Sequence, residues 1–221
     1  MKLVTIQTKK AYDQLLKNGY LVASAEYINK PKYGVPYQYI TEHMQNISNI
    51  YNAEFPLWAW VKYGGFSCPP KNKLLGFFPN DSNEIVKITF EKKVEDVLVT
   101  DYIKYHFLLT NEYLPKSKED QQFFEKLMIE KNVSKEDLLA YIRRDKYPSF
   151  RQDKDFQFIN KIIKDSYKDI FTTDGTYLQG TVWHISTDDI ISVEIIKKEN
   201  CTKKKSVDYR KMYINSLKQK R

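Results

Sequence analysis

Cysteine is nearly missing from this chain. Cys68 and Cys201 are the only two in 221 residues and form no CxxC pair, which argues against a disulfide framework and a cysteine zinc site. Glycine is scarce too, at 7 residues, so the chain is not linker-rich. No apolar run approaches the ~20 residues that a membrane span needs, and the opening MKLVTIQTKK lacks the apolar centre of a signal peptide. Glycine-rich phosphate loops, an HExxH zinc motif and a Ser-centred nucleophile elbow are all missing. His43, His106 and His184 lie more than 60 residues apart, and that spacing proposes no metal site. These absences lead to the expectation of a cytoplasmic protein with reduced thiols, no membrane association and no metal.

What is present is aromatic and unevenly charged. With 17 Tyr, 12 Phe and 3 Trp, the chain can build a large core as one domain, with or without an insertion. Residues 197–221 hold ten basic and two acidic side chains and so carry the whole net charge of +8. The other 196 residues balance at 26 basic against 26 acidic. A cationic tail of this kind either binds phosphates through counterion release or stays solvated. Nucleic acid or another protein is therefore a candidate partner for Lys197–Arg221.

The pattern along the chain predicts an α+β fold with a mixed or antiparallel central sheet, flanking helices and a helical insertion. Domain 1–196 would contain the insertion at 117–171, with 197–221 as a basic segment ending in a helix. Residues 3–7 alternate as a strand; Thr8 can cap the helix that follows, and Gly19 suits the position past its end. Pro31, Gly34 and Pro36 mark a loop, and helical spacing runs from Tyr37 to about Asn52. Residues 66–83 read as a long loop, a candidate lid. Strands are expected at 84–91, 97–100, 176–185 and 191–196, and helices at 102–113 and 206–219. Ser117-Lys-Glu-Asp120 and Ser134-Lys-Glu-Asp137 are two cap-type helix starts, and Pro148 breaks the helical run.

The organising stretch is Pro56–Gly65, PLWAWVKYGG. On an extended backbone Trp58 and Trp60 point one way, and Leu57, Ala59, Val61 and Tyr63 the other. Such a strand is either plain core or the wall of a pocket for a flat ligand. Residues 177–185 pose the same choice. Alternation places Gln179, Thr181 and Trp183 on one face and Leu178, Val182 and His184 on the other, while Gly180 points to close approach of another group. Tyr102 and His106, one helical turn apart beside Tyr105, either grip a ribose or base or satisfy one another.

Five blocks resemble a bacterial family built on a domain of unknown function. They are LVTIQT with Ala11-Tyr12, PLWAW (56–60), VTDYIKYH (99–106) continuing to Tyr113-Leu-Pro115, SYKDIF (166–171) and LQGTVW (178–183). More remotely, the order of elements resembles the ADP-ribosyltransferase-like fold, which splits its sheets around a cleft holding NAD. That likeness implies a ribose-gripping residue at Thr5 or Gln7, aromatic walls for nicotinamide at Trp60 or Tyr63, and a catalytic position at Gln179. The pattern usually has Glu there, stabilising the cation that develops as the nicotinamide bond breaks. An amide does this less well. Tyr102, His106 and Trp183 complete the candidate cofactor-binding set, with NAD as the candidate cofactor. A nucleic-acid binder and a protein-interaction module using 117–171 are the competing expectations.

Overall fold

Thr8, at the end of strand β1 (Lys2–Thr8), stops the strand and starts a helix. Its hydroxyl accepts the Ala11 N–H of α1 (Lys9–Asn18), and Gly19 closes the helix in left-handed backbone at φ +80°. The computed structural model describes residues 1–23, 30–79, 82–143, 154–200 and 208–219, so Pro148, Cys201 and Lys203–Lys205 lie outside the described residues. Two compact units emerge. One comprises residues 1–23, 39–79, 82–101 and 172–200, the other residues 30–38, 102–143, 154–171 and 208–219.

The sheet unit continues with β2 (Tyr20–Val22), β3 (Leu57–Tyr63), β4 (Glu84–Glu91), β5 (Leu98–Asp101), β6 (Tyr177–Val182), β7 (His184–Ser186) and β8 (Ile190–Lys197). Six of these strands form one sheet in the order β5-β6-β3-β1-β4-β8, and β2 pairs with β7 in a second. Every pairing is antiparallel. The architecture is therefore α+β, and the antiparallel alternative holds over the mixed one. β1 pairs with β4 along its whole length but with β3 at a single position, Val4 opposite Trp60. That one-residue seam joins β5-β6-β3 to β1-β4-β8.

One face of the sheet is a packed core. Leu3, Ala59, Val86, Ile88, Phe90, Leu178 and Val182 cluster with Leu15 of α1, each large side chain contributing about 1.5–3 kcal/mol by leaving water. A smaller cluster corrects the lid expectation for 66–83. Residues 71–77 form a 3-10 helix, and Leu74 and Phe78 pack on Ile85 and Ile196. This segment covers the sheet. Likewise Pro31 and Pro36 fall inside helix α2 (Lys30–His43) instead of a loop. Pro31 lies in the first turn, where an N–H has no helical partner to lose. Helical spacing beyond His43 gives way to turns, with Asn52 at φ +50°.

The helical unit contains α3 (Tyr102–Thr110), α4 (Lys118–Glu130), α5 (Lys135–Arg143), α6 (Lys154–Ser166) and α7 (Tyr209–Gln219). Ser117 and Ser134 cap α4 and α5 by accepting the Asp120 and Asp137 N–H groups at 3.1 and 3.0 Å. Leu108, Leu114, Ile159, Ile163 and Ile170 are its fully buried centre. Ser166 ties the unit together, its hydroxyl accepting the Leu114 N–H at 3.1 Å. The basic C-terminal helix is part of this fold. Tyr213 donates to the Pro115 carbonyl at 3.0 Å, and Arg210 pairs with Glu112 at 2.6 Å.

Candidate functional site

The tryptophan strand is irregular where it matters. Trp60 stands opposite Gln179, but the next pair is Lys62 opposite Leu178, so Val61 is an extra residue in β3. A bulge of this kind shifts side-chain parity by one. Tyr63 therefore joins the face of Trp60, against the alternation expected from sequence. Its ring meets Trp60 edge-on at 5.1 Å and Tyr177 at 5.0 Å. Trp60 and Tyr63 are both buried, and Lys73 lies over the Tyr63 ring at 5.3 Å.

Gln179 faces the same way. It is paired laterally with Trp60 on one side and Thr100 on the other. Its Oε1 and the Thr100 Oγ1 are both buried and lack a hydrogen-bond partner. Two orphan oxygens on directly opposed residues are costly, because each has lost water without replacement. A ligand presenting a donor between them would satisfy both. Thr181, two residues along, is different: it is fully buried and its hydroxyl donates to the Leu98 carbonyl at 3.2 Å.

Thr5 and Gln7 alternate away from the Val4–Trp60–Gln179 row. Thr5 is only 1% exposed. Its hydroxyl donates to the Trp58 carbonyl at 2.9 Å and accepts from Gln7 Nε2 at 2.8 Å. Thr5 thus bridges the seam where β1 parts from β3 and anchors Gln7. Trp183 stands apart from Gln179 and Thr181, because the strand breaks there between β6 and β7. Its buried indole N–H reaches the Ile47 carbonyl at 3.0 Å. The group that approaches Gly180 is the protein's own core. A Cβ there would meet Leu3 Cδ2 at 2.7 Å and Val97 Cγ1 at 2.8 Å. We expect Gly180→Ala to cost about 1–3 kcal/mol by overpacking, measured by urea denaturation; an unchanged midpoint would refute this packing account.

Tyr102 and His106 belong to the helical unit. They form a three-ring cluster with Tyr209, with centroids 4.6–4.9 Å apart. His106 Nδ1 bonds the Tyr102 carbonyl at 2.7 Å. Burial lowers its pKa; the bond to the Tyr102 carbonyl opposes this, and the Arg210 charge lowers it further. The unit also contains a cavity of about 590 Å³ lined by Phe107, Phe124, Met128, Leu138 and Ile163, with Glu112 among its polar groups.

One polar cluster has no counterpart in the sequence reading. Lys92, whose side chain is 9% exposed, pairs with Asp189 at 2.6 Å and contacts His184 Nε2 at 3.1 Å. Asp189 also accepts the Ser186 N–H in a capping box. The His184 ring meets Tyr51 edge-on at 4.8 Å, and Tyr51 stacks on Tyr20 at 3.9 Å. Burial and then the Lys92 charge lower the His184 pKa. The S-x-x-D spacing of Ser186 and Asp189 was the one available signal. Among the described residues, no group of three or more His, Cys, Asp and Glu could hold a metal, and no helix is long and apolar enough to cross a membrane. Cys68 is a buried free thiol whose pKa is raised by burial.

Taken together, the sheet unit is an antiparallel α+β scaffold with a buried amide–aromatic row across β3, β5 and β6. The chain belongs to the DUF3841 family, a domain of unknown function, which it matches over residues 2–191. No curated protein and no solved structure matches it.

Proposed function

We propose that the sheet unit binds NAD or a related nucleotide in the manner of an ADP-ribosyltransferase-like domain, acting on a macromolecular target. The observation that carries this reading is the unpartnered pair Gln179 Oε1 and Thr100 Oγ1, on the face that Trp60 and Tyr63 share. A nicotinamide ring is flat and carries an amide, and ribose carries hydroxyls, so such a ligand offers both stacking surface and donors. The one-residue seam between β1 and β3 supports the same reading, since it is where a split sheet would open. In this site Gln179 takes the position next to the bond that breaks, and Trp60 and Tyr63 form the aromatic wall; Thr5 and Gln7, on the opposite face of the sheet, are not part of it. An amide at 179 orients a ligand but gives weak stabilisation to a developing cation. Binding should therefore exceed turnover. A cytoplasmic, reducing setting suits the free Cys68 thiol.

Titrating the full chain with NAD should raise its melting temperature, by mass action on the folded state, and Gln179→Ala should abolish the rise. No shift at millimolar NAD, together with no nicotinamide release, would eliminate this reading.

A further inference from the structure

The cavity of about 590 Å³ belongs wholly to the helical unit. Five helices meet around it: Phe107 of α3, Phe124 and Met128 of α4, Leu138 of α5, Ile163 of α6 and Ile214 of α7 line its walls. Well-packed interiors leave few voids larger than a water molecule, and a concavity of this size lies within the roughly 300–1,000 Å³ of small-molecule sites. The Phe124 ring stacks on Tyr113 at 4.1 Å with 10° between the planes, so this wall is preformed. The helix that completes the cavity, α7, lies beyond the residues 2–191 that match the family.

Asn111 indicates what an occupant must offer. It follows α3 in left-handed backbone at φ +54°, a conformation that glycine takes without burying a polar group. Here the residue is an asparagine, 5% exposed and on the cavity wall. Among the described residues its side-chain amide makes no hydrogen bond. A buried amide without a partner costs free energy, and a hydroxyl or carbonyl placed in the cavity recovers it.

The charges at the rim argue against an ionic group. Glu112 holds Lys135 at 2.7 Å and Arg210 at 2.6 Å through the same carboxylate oxygen. Glu125, Asp208 and Lys211 also line the cavity, but each is exposed to water. Three acids therefore balance three bases. A carboxylate in the cavity would have to displace Glu112 from two cations, and an ammonium would face them. An uncharged head group does neither.

We infer that this cavity binds an uncharged amphiphile, an aliphatic chain of medium length that ends in one hydroxyl or carbonyl group. The chain lies among the apolar walls and its head hydrogen-bonds to Asn111. All the lining residues belong to the helical unit, so this site and the proposed nucleotide site stand or fall separately.

A fluorescence titration of the full chain with the neutral probe N-phenylnaphthylamine tests this. The probe should saturate with a dissociation constant on the order of 10 µM, and decanol should displace it. Decanoate, of the same chain length, should compete at least about tenfold less well. Met128→Trp and Leu139→Trp each put an indole into the cavity from a half-buried position. Both should weaken probe binding by about 30-fold or more, with the melting temperature unchanged or raised. Asn111→Gly suits the backbone, removes the amide and should weaken decanol by about fivefold. A probe that does not saturate, or decanoate that competes as well as decanol, would overturn the inference. So would binding that survives both tryptophan variants, or decanol indifferent to Asn111→Gly.

Discussion

Gln179→Glu is expected to convert a binding site into a hydrolytic one, raising the rate of nicotinamide release from NAD by about 100-fold or more over the wild type. The position is held by its neighbours: Trp60 and Thr100 flank it in register, and Thr100 has a buried hydroxyl free to donate to a carboxylate. The side chain is isosteric, so the fold should tolerate the change, which a melting curve checks. A carboxylate gives the developing oxocarbenium a full negative charge in a site screened from water, where such interactions are strongest. Gln179→Ala is the control, expected to lose NAD binding without gaining turnover. A folded Gln179→Glu variant that binds NAD and still releases nicotinamide at the wild-type rate would show that this position does not face the reacting bond. One that binds no NAD would remove the site altogether.

Asp189→Asn should be the most damaging single substitution in the polar cluster, costing about 2–3 kcal/mol of stability. Lys92 is nearly buried, and its partners are Asp189 at 2.6 Å and His184 at 3.1 Å. Removing the carboxylate leaves an uncompensated ammonium, which in a fully buried pair costs roughly 3–5 kcal/mol; Asp189 is 19% exposed, so solvent screening reduces the figure. The double variant Lys92→Met with Asp189→Asn should recover part of the loss, because the stranded charge is gone. Urea denaturation of the three proteins measures this. A single variant within about 0.5 kcal/mol of wild type would contradict it.

His184 makes the same cluster sensitive to pH. Its pKa is below the ordinary value because of burial and then the Lys92 charge. The unfolded chain therefore takes up a proton at this site at higher pH than the folded one does. Stability is complete above about pH 6.5 and declines as the pH falls below it. His184→Gln keeps an acceptor for Lys92 and should flatten this part of the profile.

Much of the local structure could be read from the residues. Thr8, Ser117 and Ser134 are caps because a short hydroxyl reaches back to an orphan N–H two or three residues on, which depends on nothing distant. Strand β4 alternates clearly enough to be placed at both ends. Other features resisted sequence reading for a common reason. The Val61 bulge is set by how β3 fits β6, and it moved Tyr63 to the face of Trp60. Trp183 left its expected face because its indole found the Ile47 carbonyl. Lys92 and Asp189 are 97 residues apart in the chain, and no periodicity connects them.

Side-chain chemistry and short-range spacing by themselves determined the α+β class, the helix starts, the family likeness and the presence of an amide–aromatic stretch. Those properties involve energies between residues a few positions apart. Tertiary structure alone decided the strand order, the seam at Val4 and Trp60, the orphaned oxygens of Gln179 and Thr100, and the exposed edge at β8. Each of these depends on which distant strands meet and in what register, and that choice is made by the whole buried core at once.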